Sequence, residues 1–128
     1  MGNVYCAQNI TAYFIYELNE SQHFVNNMSI QNLLSTVEMK WQQTFGHSAF
    51  NEIIYAKEEG FIVKEVFEEY KAHGSDHIVL PATEYYLQYG SFQLIERTYA
   101  VPNFTEEEVK LVQSVLAQYR ERLFLQAS

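Results

Sequence analysis

The chain has 128 residues, 48% of them apolar and 16% aromatic, which fits one domain over 1–128 with its own core and excludes a disordered chain. Eight Lys and Arg against sixteen Asp and Glu give a formal net charge of −8. The cations are dispersed from Lys40 to Arg122 rather than gathered into a stripe, which argues against nucleic acid and anionic membranes and for a basic protein partner.

The first residues lack a cationic segment followed by an apolar stretch, and no apolar run approaches the roughly 20 residues of a membrane helix. Cys6 is the single cysteine, so no internal disulfide is expected and a cytoplasmic setting follows. Val4, Ala7, Ile10, Phe14 and Leu18 recur at three- and four-residue steps, which predicts a first helix over 4–18 with Cys6 near its apolar face as a small core residue. Residues 19–27 read as a polar loop interrupted by Phe24 and Val25. Ile30, Leu33, Leu34, Val37 and Trp41 predict a second helix, capped by Asn27 or Ser29 and stopped by Gly46.

From Phe50 to Val63 the reading is divided: Ile53, Ile54 and Tyr55 favour a strand, and Gly60 marks a turn. Val63, Val66, Phe67 and Tyr70 give a short helix ending at Gly74. Ile78 to Leu80, before Pro81, reads as a short strand, 83–89 as a helical segment and 92–99 as another strand. Thr105 followed by Glu106, Glu107 and Glu108 is a capping box, and Val109, Val112, Leu116, Tyr119 and Leu123 then step along the last helix. Arg120 and Arg122 fall near its predicted end, where the helix dipole favours cations. The expected fold class is α+β, mainly helical, with four to five helices and a small β-hairpin or short sheet.

Little in the sequence points to catalysis. His73 and His77 have the spacing of a helical metal pair, but Gly74 and Ser75 interrupt the helix and a third ligand is lacking, so both read as solvated loop histidines. A Cys–His nucleophile built on Cys6 is disfavoured by its core reading, and no Gly-rich phosphate loop is present. No metal, cofactor or enzymatic activity is expected. Glu58, Glu59, Glu65, Glu68 and Glu69 surround Gly60 and read first as a solvated helix face, then as a docking surface for a basic partner. Gly60 and Phe61, the latter read as a core plug beside a turn, complete the candidate partner-binding set. A winged-helix order, with helices over 28–45 and 48–60 and strands near 77–80 and 93–99, is the alternative. Its recognition segment, from Ser48 to Gly60, carries three Glu and one Lys, a poor surface for phosphates.

The segment Asn27-Met28-Ser29-Ile30-Gln31-Asn32-Leu33-Leu34 resembles the "nlkLQKLLY" helix start of the Panacea domain, the SocA-like antitoxin family also found in phage-associated proteins. Phe45-Gly46 with Phe50 to Ala56 is similar to its "G…pLF…I.Aw" stretch. Glu59 to Val63 with Val66 to Lys71 is similar to "GPVv…vy..yk", Phe61 standing where the family carries proline. Phe104 to Glu108 and the helix to Tyr119 are similar to "lt.eE…l..v...Y". The order covers nearly the whole chain. The resemblance implies a mainly helical fold and a function through binding: neutralising a co-encoded toxin or adapting it to a protease system. It carries over no catalytic residue, and Gln31, Ala56, Gly60 and Tyr70 match as structural positions. The expectation is a protein-binding module of the kind phages or mobile elements carry, compatible with homo-oligomers.

Overall fold

Apolar residues spaced by three and four residues build the three long helices and fix where the core lies. The computed structural model describes residues 3–51, 54–57, 60–87, 90 and 94–127, and only their backbone at 54–57, 60–62, 84–87, 94–95 and 126–127. In chain order these are α1 (Ala7–Glu20), α2 (Asn27–Phe45), β1 (Ile54–Lys57), β2 (Gly60–Val63), α3 (Lys64–Glu69), a 3-10 turn (Lys71–His73), β3 (Thr83–Leu87), β4 (Leu94–Thr98) and α4 (Glu106–Ala127). β1 pairs with β2 and β3 with β4 as two separate antiparallel hairpins, Ile54 opposite Val63 and Thr83 opposite Thr98. The fold is α+β and mainly helical, as expected. No helix among the described residues is long and apolar enough to cross a membrane.

The core is the meeting of three stripes: Ile10, Phe14 and Leu18 of α1, Ile30, Leu34, Val37 and Trp41 of α2, and Val112 and Leu116 of α4, all essentially inaccessible to solvent. Gly46 stops α2 as expected, at φ 82°, a left-handed conformation that costs glycine nothing. The buried Trp41 ring meets Tyr5, Phe45 and Phe104 at centroid distances of 6.1, 5.0 and 6.3 Å, and Phe104 in turn meets Tyr13 at 5.2 Å. All but the tilted Trp41–Phe104 pair are edge-on, a geometry that adds to what area burial contributes.

The predicted capping box forms at the start of α4. The Glu108 amide donates to Thr105 Oγ1 at 3.3 Å, and the Thr105 amide donates back to Glu108 Oε1 at 2.8 Å. Glu108 is nevertheless buried, and its carboxylate also accepts from the Tyr5 hydroxyl at 2.5 Å and the Asn3 amide at 2.6 Å. Burial pushes this carboxyl up, but the hydrogen bonds from Tyr5, Thr105 and Asn3 outweigh it and hold it below its ordinary value of 4.5.

Several boundaries differ from the sequence reading. Helix α1 starts at Ala7 rather than residue 4, because Tyr5 is engaged in a parallel bridge. Its amide donates to the Ala49 carbonyl at 2.8 Å, and its carbonyl accepts from Asn51 at 3.1 Å. Val4 is therefore exposed, and Cys6 takes the helix N-cap position as an exposed residue, not a core one. The cap of α2 is Asn26, whose side chain accepts from the Ser29 amide at 2.9 Å, in place of Asn27 or Ser29. Ile78 is buried and donates to the Val25 carbonyl, yet 78–80 is not a strand, and Val79 and Leu80 face solvent. Residues 83–87, expected to be helical, form β3: Thr83, Tyr85 and Tyr86 are strand formers, and pairing with β4 decides the outcome. Helix α4 continues to Ala127, which leaves Arg120 and Arg122 outside its last turn. The second helix of a winged-helix order is also absent among the described residues, where Ile54–Lys57 is a strand paired with Gly60–Val63.

Candidate functional site

The acidic segment lies on α3 and the strand that feeds it. A helix of six residues does not stand alone, since isolated helices shorter than about 12 residues are marginal in water. It forms here because Val66 and Tyr70 point into the core and because buried amides from two other helices grip its backbone. Gln31 Oε1 accepts from the Val63 amide at 2.8 Å, Gln8 Nε2 donates to the Glu65 carbonyl at 3.1 Å, and Asn27 Nδ2 donates to the Phe67 carbonyl at 3.1 Å. Each of these three side chains is buried. Below α3, the Tyr70 hydroxyl accepts from the Ala82 amide at 2.8 Å. Gln31 and Tyr70, two of the family-like positions, thus hold the fold together.

With the inner side fixed, Lys64, Glu65, Glu68 and Glu69 face solvent. Glu65 lies in the first turn, where the helix dipole favours negative charge. Glu68 and Glu69 lie at the opposite end, where the dipole disfavours it. Their placement does not serve the helix they stand on. Of the other candidate residues, Gly60 pairs with Lys57 and Phe61 with Ala56 across the hairpin, directly upstream of α3. Glu58, Glu59 and the Phe61 side chain, with its expected role as a core plug, lie outside the described residues.

His73 is exposed, as a solvated loop residue should be, but His77 is not one. Its Nδ1 accepts from the Val25 amide at 3.1 Å. Since a backbone amide can only donate, the ring proton sits on Nε2, which donates to Asn19 Oδ1 at 2.7 Å. Asn19 Nδ2 then donates to the Ile15 and Ile78 carbonyls at 2.8 and 3.0 Å. His77 therefore ties the loop before α2 to the segment before β3. Among the described residues, no three His, Cys, Asp or Glu side chains gather where they could hold a metal ion.

Comparison of the chain with protein-family models, with curated proteins and with solved structures finds no match.

The sequence reading missed the amides under α3. Gln8, Asn27 and Gln31 sit on helix faces otherwise occupied by apolar residues, and a polar residue inside an apolar stripe is the signal that identifies such a clamp.

Proposed function

We propose that the chain is a non-enzymatic protein-binding module of the antitoxin or adaptor type, and that it docks a basic partner on the outer face of α3. One observation carries this reading. Three exposed carboxylates stand on a helix too short to be stable by itself, two of them at the end where its dipole disfavours them, while buried amides from α1 and α2 hold that helix in place. A rigidly held acidic face on a chain of net charge −8 suits electrostatic steering of a cationic protein. The Panacea-like order of motifs supplies the partner class: a co-encoded toxin, neutralised in the cytoplasm or handed to a protease.

The test is the triple variant Glu65→Lys, Glu68→Lys, Glu69→Lys, co-expressed with the protein encoded beside it. The variant is expected to stay folded and to lose capture of that partner, and capture by the wild type should weaken as salt rises. Equal capture by both proteins at low salt would overturn the reading.

A further inference from the structure

Helix α1 carries a second stripe. Opposite the buried Ile10, Phe14 and Leu18 it presents Asn9, Tyr13, Tyr16, Glu17 and Glu20, again at three- and four-residue steps. Tyr13, Tyr16, Glu17 and Glu20 of this stripe form one wall of an open groove of about 530 Å³ whose other wall is the extended segment Thr98 to Val101. The walls are tied together at one end, where Asn9 Nδ2 donates to the Ala100 carbonyl at 2.7 Å. The Tyr99 amide donates to the Ala82 carbonyl at 3.0 Å and fixes the second wall from below.

From behind, Gln113 of α4 spends its two N–H groups on the groove, one on the Tyr13 hydroxyl at 2.5 Å and one on Glu17 Oε1 at 2.6 Å. Tyr13 and Glu17 are therefore positioned before any ligand arrives, which reduces the ordering cost of binding. Tyr16, Glu20 and Val101 remain exposed at the rim. None of the described lining residues is basic. Arg120 lies beside the groove rather than in its lining: its Nε donates to Ser21 Oγ at 3.2 Å, and its charge reaches the Tyr13 hydroxyl.

We propose that this groove takes an arginine side chain of the protein partner, its guanidinium laid against Tyr16 and paired with Glu17 and Glu20. The chemistry selects the ligand. Phenol faces and carboxylates together attract a cation, and a planar guanidinium can stack on the ring while its donor fork reaches two carboxylates one helical turn apart. Openness along the surface suits a side chain delivered by a polypeptide. The groove also adjoins the end of α3: Ala82 accepts from the Tyr99 amide of the groove wall at 3.0 Å and donates to the Tyr70 hydroxyl at 2.8 Å. The inference rests on the docking of a basic partner and names the residue such a partner would insert.

The probe is a nine-residue Gly/Ser peptide carrying two arginines, titrated into the ¹⁵N-labelled full chain, with a peptide carrying citrulline at both positions as its uncharged counterpart. The arginine peptide should shift the amides of Tyr13 to Glu20 and of Thr98 to Val101, and the citrulline peptide should not. Tyr16→Ala should weaken binding about two- to fivefold, the range of an exposed cation–π contact. Glu17→Gln with Glu20→Gln should weaken it by about five- to twenty-five-fold at unchanged Tm, the upper range of two exposed ion pairs. Equal binding of both peptides, or wild-type affinity in the groove variants, would overturn the inference. The α3 triple variant separates the two readings. If it alone loses the peptide, the cation site is on α3, and this inference falls while the docking face stands. If it keeps the peptide at the groove but fails to capture the partner, the groove and the docking face are distinct, and both stand.

Discussion

Replacing Glu108 with alanine removes the acceptor for three donors at once: the Tyr5 hydroxyl, the Thr105 amide and the Asn3 amide. Hydrogen bonds to a charged acceptor contribute about 1.5–3 kcal/mol each, but Asn3 lies at the surface and its amide can rehydrate, so the three do not add in full. A loss of about 3–5 kcal/mol is expected, a large part of a small domain's stability. Glu108→Gln should cost less, since its amide oxygen still serves Tyr5 and Thr105 while the Asn3 amide loses its acceptor. The pH dependence has a definite sign. The folded carboxyl is held below 4.5, so its stabilisation is present above that value and disappears as pH falls through the folded value. Chemical denaturation of wild type, Glu108→Ala and Glu108→Gln at pH 7, repeated in steps down to pH 3, measures both effects. Wild type should lose stability over this range more steeply than Glu108→Gln. An alanine variant within about 0.5 kcal/mol of wild type, the scatter of ordinary surface changes, or superimposable acid profiles for wild type and Glu108→Gln, would refute the reasoning.

Leu116 is completely buried on α4, so Leu116→Ala should destabilise the fold by about 2–5 kcal/mol; an unchanged Tm would mean that this face of α4 is not in the core. Gln31→Leu keeps the bulk of the side chain but strips the buried Val63 amide of its acceptor, with an expected cost of about 1–3 kcal/mol. Faster hydrogen exchange at Val63, with α4 amides unaffected, would be its signature, and unchanged exchange at Val63 would count against the clamp.

The long helices were legible because burial imposes the helical period on apolar residues: Ile30 to Trp41 and Val112 to Tyr119 announce their buried faces directly. Thr105 and Glu108 announced a capping box, which forms. What escaped depends on partners distant in sequence. Val4 continues the α1 stripe, but Tyr5 is claimed by Ala49 and Asn51, so the helix cannot begin there. Residues 83–87 resemble a helical segment until β4 offers them a pairing edge. Of the candidate site, the acidic run was visible as composition, whereas its display was not. The amides that grip α3 come from Gln8, Asn27 and Gln31, far from Glu65 in sequence. The outward stripe of Tyr13, Tyr16, Glu17 and Glu20 was present as a helical repeat, but the wall opposite it exists only after folding.

The bonds from Tyr5 and Asn3 to Glu108 span 103 and 105 residues of chain. Contacts between such distant positions carry a large closure entropy and form late. Until the ribosome has released α4, Tyr5 lacks its acceptor and Trp41 lacks the Phe104 ring beside it. The earlier helices can gather during synthesis, but the aromatic centre stays unsealed until that point. This domain is thus completed only once α4 has emerged, and a nascent chain stalled before Glu108 would expose apolar surface that the folded domain conceals.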